Sequence, residues 1–238
     1  MLECTLDGFL GGRIVAAQPK TGFRAGHDSV LLAAAIPDDP GTKVLELGSG
    51  AGIASICFAW RAARCLVHGV EIDPKLVEIA NANSARNGMA GRVRFSEKDV
   101  RDLRGEVFDQ VFFNPPFHPA EGTQSPYAAR DSAKRDAGDA IRTWTDVALM
   151  AVRPGGTVTA IISFERVPDV LKRMNGNRAL VFPLYGRSGA GPKRAIVQIT
   201  ADEGEVTFSA GLVLHHDDGS NSAEAEAILR SASPLVLR

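Results

Sequence analysis

Cysteine is scarce in this chain. Cys4, Cys57 and Cys65 are the three among 238 residues, and none stands in a CxxC or metal-ligand spacing. That count speaks against a disulfide framework or a zinc ribbon, and reduced structural thiols in a cytoplasmic protein are the expectation. The five histidines also lack metal spacing, so no metal is expected. Aromatic residues make up only 6%, so a ring beside a polar cluster stands out. No apolar run reaches the ~18 residues of a membrane span. The first residues lack a basic flank followed by an apolar stretch, so neither a membrane partner nor a secretory leader is expected. An excess of one charge is missing as well: 27 Lys and Arg stand against 28 Asp and Glu. Overall charge therefore gives no attraction for nucleic acid, and that role would fall to a local basic patch.

What is present is 45% apolar residues, enough for a sizeable core. Strand-like and helix-like stretches alternate. Strands are expected at Lys43–Leu47, Cys65–Ile72, Arg92–Ser96, Phe108–Phe113, Thr157–Ile162 and Ala179–Leu184. Helices are expected at Ile53–Ala63, Lys75–Asn87, Asp139–Ala151, Pro168–Asn175 and Ala223–Ser231. This alternation predicts an α/β fold with a parallel sheet, helices on both faces, and a ligand crevice at the strand carboxyl ends. Two late strands, Ala195–Ala201 and Leu212–His215, are joined by loops alone, which predicts antiparallel pairing there. The whole chain reads as one domain, 1–238. Residues 1–36 form an N-terminal arm, irregular up to Gly26 with a hairpin across Phe9–Val15, and 37–238 form the core. The polar stretch Ala120–Gly138 reads as a long functional loop.

Gly48, Gly50 and Gly52 follow the first core strand and open a helix. Glycines there let the backbone turn tightly and let a ligand come close, and the helix start behind them favours anionic groups. Glu46 puts an acid two residues before the first glycine. A phosphate site is poorly served by that carboxylate, whereas a cationic amino group is well served, so an amino-acid-bearing cofactor is favoured over a dinucleotide. Glu71 lies 19 residues after Gly52, where an acid holds a ribose diol. Asp73 competes for that role. Asp99 follows the third strand and can accept from an adenine amino group.

Asn114-Pro115-Pro116-Phe117 ends the fourth strand. The Asn114 side-chain oxygen and the Pro115 carbonyl can accept both N–H groups of an amine whose lone pair is delocalised into a ring. The prolines stiffen the loop, and Phe117 offers a stacking face. With a sulfonium methyl donor, such a site needs positioning and aimed dipoles, with no strong base.

These motifs together resemble class I S-adenosylmethionine-dependent methyltransferases with an Asn-Pro-Pro-aromatic site. The resemblance implies a Rossmann-like, doubly wound, seven-stranded sheet with one antiparallel strand. It implies S-adenosylmethionine as cofactor, S-adenosylhomocysteine as product, and methylation of an adenine, guanine or glutamine amino group. The segment Phe23-Arg24-Ala25-Gly26-His27-Asp28-Ser29-Val30-Leu31-Leu32 resembles the one before the first strand in bacterial tRNA adenine-N6 methyltransferases. Those enzymes modify the adenosine beside the anticodon of valine tRNA. The stretch Asp217–Glu224 is similar to that family's ending, with Asn221 in place of a usual tyrosine. The likeness implies that Gly26 and Asp28 lie close to the cofactor. Alternatives are an rRNA guanine-N2 or protein glutamine-N5 methyltransferase, or a cofactor-binding module without catalysis.

An RNA partner, tRNA on this resemblance, needs cations near the crevice. Arg187, Lys193 and Arg194 flank a Gly-rich turn without interleaved acids and are the favoured substrate contacts. Arg130, Lys134, Arg135 and Arg142 form a second cluster, interleaved with Asp131, Asp136 and Asp139. His118 is the histidine nearest the Asn-Pro-Pro motif, and Trp144 reads as helix core.

Overall fold

A computed structural model describes residues 2–115 and 140–238. The chain begins with an antiparallel hairpin, β1 (Cys4–Phe9) and β2 (Ile14–Pro19), centred where the sequence placed one. Helix α1 (His27–Ala35) then leads into the core. The core runs β3 (Lys43–Leu47), α2 (Ile53–Arg61), β4 (Leu66–Glu71), α3 (Pro74–Arg86), β5 (Val93–Glu97) and β6 (Phe108–Phe113). Helix α4 (140–151), β7 (Val152–Ser163) and α5 (Val167–Leu171) follow. The chain closes with β8 (Asn177–Arg187), β9 (Pro192–Glu203), β10 (Val206–Phe208), β11 (Leu212–His215) and α6 (Ala223–Ser231).

The main sheet has the order β10-β8-β9-β7-β6-β3-β4-β5, with β11 also on β8. From β8 to β5 this is seven strands, of which β9 alone is reversed, antiparallel to both β7 and β8. The expected seven-stranded pattern is present, and the short β10 and β11 extend its edge. One expectation needs correction. Leu212–His215 pairs parallel to β8, as does β10. The chain gains its reversal in the β8–β9 hairpin and again after β9, so a strand returning to the outer side of β8 runs with it.

One sheet face is covered by α1, α2, α3 and α6. Phe58, Ile56, Leu31 and Leu32 pack there against Val44, Val67 and Phe112. Burying a side chain of that size contributes roughly 1.5–3 kcal/mol. Residues 29–35 of α1 are buried on every side, so no polar stripe marks it as a helix in the sequence. The opposite face is covered by α4 and α5, which pack on Leu45, Val111, Phe113, Val158 and Ile162. This second layer is incomplete. The link between β5 and β6 carries a single three-residue turn of helix, Val100–Asp102. The amino halves of β3, β4 and β5 therefore line an open groove of about 450 Å³, bordered by Lys43, Leu66, His68, Arg94 and Phe108. Among the described residues, no helix is long and apolar enough to cross a membrane.

The hairpin is held by amide side chains. Asn83 on α3 accepts from the Ala17 N–H (2.7 Å) and donates to the carbonyls of Ala17 (2.9 Å) and Ala51 (3.0 Å). Asn87, one turn on, exchanges two bonds with Val15.

Candidate active site

Strand register brings the sequence motifs to one level. Leu47 pairs with Phe113 on one side and Val70 on the other, so Gly48, Asn114 and Glu71 emerge side by side. Glu71 in turn pairs with Glu97, two residues before Asp99. A cleft of about 560 Å³ opens above them, within the range of cofactor sites. Gly48, Gly50, Glu71, Asp99, Asn114 and Trp144 line it. Pro116, Phe117, His118, Arg130, Lys134, Arg135 and the 120–138 loop lie outside the described residues.

The three glycines all have positive φ: +64° at Gly48, +53° at Gly50 and +82° at Gly52. Their surroundings differ. A Cβ at Gly52 would stand 2.6 Å from the Phe95 ring and 3.1 Å from Ala80, so this glycine permits close packing of the turn on β5 and α3. A Cβ at Gly48 would stand 2.2 Å from Cη2 of Trp144. Gly50 has nothing within 4 Å of that position, so the turn is open to a ligand there.

Glu71 lines the cleft at the end of β4. Its Oε2 accepts from the Gly50 N–H (2.8 Å), and its Oε1 accepts from the Ile72 and Asp73 N–H groups. Asp73 is engaged differently, capping α3 by accepting from the Lys75 N–H at 2.9 Å. Of the two acids, Glu71 lines the cleft and Asp73 does not. Asp99 also lines the cleft. The Arg101 guanidinium and backbone N–H hold its carboxyl below the usual carboxylate range.

Glu46 faces a smaller recess beside the cleft, bordered by Ala25, Ser29, Ser49, Gly50 and Asn114. Both the hydroxyl and the N–H of Ser55 donate to its carboxylate. Burial, with nearby Glu71 adding to it, pushes its pKa up to about 8 despite those two bonds. Asn114 Oδ1 and Ser49 Oγ are buried and find no hydrogen-bond partner among the described residues.

Of the arm residues, Gly26 caps α1 and Asp28 pairs with Arg194 (3.0 Å), and neither borders the cleft or the recess. Their neighbours Phe23, Ala25 and Ser29 do. Arg187 and Lys193 are exposed at the β8–β9 turn. Arg194 pairs with Ser163 at the carboxyl end of β7, so this turn rises on the same side of the sheet as the cleft. Arg142 lies 3.8 Å from Asp169. Trp144, expected in the helix core, packs against it and has a further role in the cleft wall. It packs on Phe113 and also walls the cleft. Its distance in sequence from the glycine turn concealed that. Phe95, which props the turn, was equally hidden, since only the β4–β5 register brings it there.

The methyltransferase small domain family matches residues 24–157, more than half of the chain. This chain belongs to that family. A tRNA1(Val) (adenine(37)-N6)-methyltransferase of Yersinia enterocolitica is 31% identical over 132 residues, covering 53% of this chain and 52% of that protein. An Aeromonas hydrophila protein of the same description is 23% identical over 98% of both chains. Among solved structures, a predicted O-methyltransferase from Agrobacterium tumefaciens superposes with a TM-score of 0.72. It is 20% identical and covers 89% of this chain and 99% of that one. TrmN from Thermus thermophilus gives a TM-score of 0.51 at 21% identity, over 68% of this chain and 44% of that one. These structural likenesses show the fold.

The protein is an S-adenosylmethionine-dependent methyltransferase. The site fits that cofactor. The open face at Gly50, the acid at Glu71 and the unpartnered oxygens of Ser49 and Asn114 supply a cradle and hydrogen-bonding capacity. Among the described residues, no group of three His, Cys, Asp or Glu side chains could hold a metal ion.

Proposed function

We propose that this methyltransferase acts on an exocyclic amino group, namely adenine N6 of tRNA beside the anticodon, in the cytoplasm. The observation that carries the reading is Asn114 Oδ1, buried and without a hydrogen-bond partner among the described residues. Leaving a buried acceptor without a donor costs about 1–3 kcal/mol. Of the buried polar atoms that lack a partner among the described residues, Asn114 Oδ1 is the one that lines the cleft, where a ligand amino group would supply two donors. Asn114 and the buried Pro115 carbonyl would hold the two N–H groups and turn the nitrogen lone pair out of conjugation. S-adenosylmethionine, when bound, supplies an electrophilic methyl on a positively charged sulfur. Asn114 and the Pro115 carbonyl would present the amine lone pair to that methyl, whose former bonding pair would stay with sulfur. The surplus proton on nitrogen passes to water.

Glu71 would hold the ribose, Asp99 the adenine amino group, and Gly48 to Gly52 with Glu46 the amino-acid end. On this reading residues 1–36 act as an arm over the cofactor site, supported by Ala25 and Ser29 at the recess. Pro116 and Phe117 complete the motif as stiffener and stacking face. Arg187, Lys193 and Arg194 would meet phosphates. The tRNA target is supported by the description of the relatives, above all the Aeromonas protein that aligns end to end.

The test uses labelled methyl donor with tRNA, rRNA and protein fractions from cells lacking the enzyme. Label is expected in tRNA, with none for Asn114→Ala, whose cofactor affinity should stay within about twofold of wild type. Turnover by Asn114→Ala would remove the amine-holding role. Label confined to rRNA or protein would favour the guanine or glutamine alternatives, and no label anywhere a binding module.

A further inference from the structure

Trp144 is a cleft residue that the proposed chemistry leaves without a task. Its indole meets Phe113 edge to face, with centroids 6.1 Å apart and planes at 74°. It lies so close to Gly48 that a Cβ there would stand 2.2 Å from Cη2. A ring with packing as its whole purpose would be enclosed, yet Trp144 is half-buried and shares the cleft wall with Asn114 and Thr143.

The acids around the cleft are already engaged. Glu71 accepts three backbone N–H groups, and Asp99 is paired with Arg101. Glu46 sits behind in the recess, bonded by Ser55, with its pKa pushed up to about 8 by burial. A cation brought into the cleft beside Gly48 and Asn114 therefore meets the Trp144 indole as well as the carboxylates of Glu71 and Asp99. Indole is the strongest of the side-chain rings at attracting a cation.

We propose that Trp144 binds the sulfonium of S-adenosylmethionine and so distinguishes the charged methyl donor from its neutral product. The inference rests on the cofactor assignment and adds a residue to it. Once the methyl has left, sulfur is an uncharged thioether and the attraction disappears. Donor is then held more tightly than product, which favours product release.

Calorimetry with S-adenosylmethionine and S-adenosylhomocysteine tests this on wild type, Trp144→Phe and Trp144→Leu. Loss of the ring should raise Kd for the donor about three- to tenfold while that for the product changes less than about twofold. Trp144→Phe, which keeps a ring and most of the packing, should fall between. It serves as the deciding variant if a thermal melt shows Trp144→Leu unfolded. Equal weakening of both ligands would make Trp144 a packing residue, and unchanged affinities would show no contact. Either result overturns the proposal. A wild-type protein that bound neither ligand would overturn the cofactor assignment as well.

Discussion

Glu46 is enclosed behind the glycine turn, and its carboxyl keeps its proton to about pH 8 in the folded chain against an ordinary 4.5. Between those values the unfolded chain has released a proton that the folded chain still holds. Stability therefore falls as pH rises from about 4.5 to about 8 and levels beyond. Glu46→Gln should flatten that slope, measured as denaturation midpoints between pH 5 and 8. A slope matching wild type would place the titration elsewhere. The sequence located Glu46 by its spacing to Gly48. Its bond to Ser55 depends on which way α2 faces, and spacing does not carry that information. The capping role of Asp73 was partly legible. Asp before Pro74 marks a helix cap, and the cap uses the Asp73 side chain.

At the level of elements, the alternation of strands and helices was legible because apolar runs and Gly or Pro breaks bound each one. Helix α1 was missed because its residues 29–35 are buried all round and show no periodicity. β10 was missed because three residues carry too little pattern. The hairpin was legible at its turn, while its attachment through Asn83 was not, since it joins residues 66 apart in sequence. Asn83 bonds both β2 and the Ala51 carbonyl inside the cofactor turn. Asn83→Ala leaves three backbone groups without that partner. It should destabilise the fold by about 1–3 kcal/mol and speed amide exchange at Ala17. Unchanged exchange there would mean that the hairpin is held by its other contacts.

Across the whole molecule, charge is balanced, so the proposed RNA affinity would come from placement. The β8–β9 turn lifts Arg187 and Lys193 on the cleft side, while Arg194 is joined to Asp28 of α1. Replacing both Arg187 and Lys193 by Ala should reduce the salt dependence of tRNA binding by about two phosphate contacts, each worth a log–log slope of roughly 0.9 or less. S-adenosylhomocysteine affinity should be unaffected. An unchanged slope would move the RNA path elsewhere. The incomplete helical layer has a consequence of its own. Over the first half of β4 and β5 the sheet has a dry side and a wet side, with His68 and Leu66 facing water across the groove. β5 is also the last strand of the sheet. Thermal opening at that corner would begin at the end of the strands opposite Asn114, where the sheet faces water. Such opening would have to run the length of β4 and β5 before it reached the cleft at their carboxyl ends.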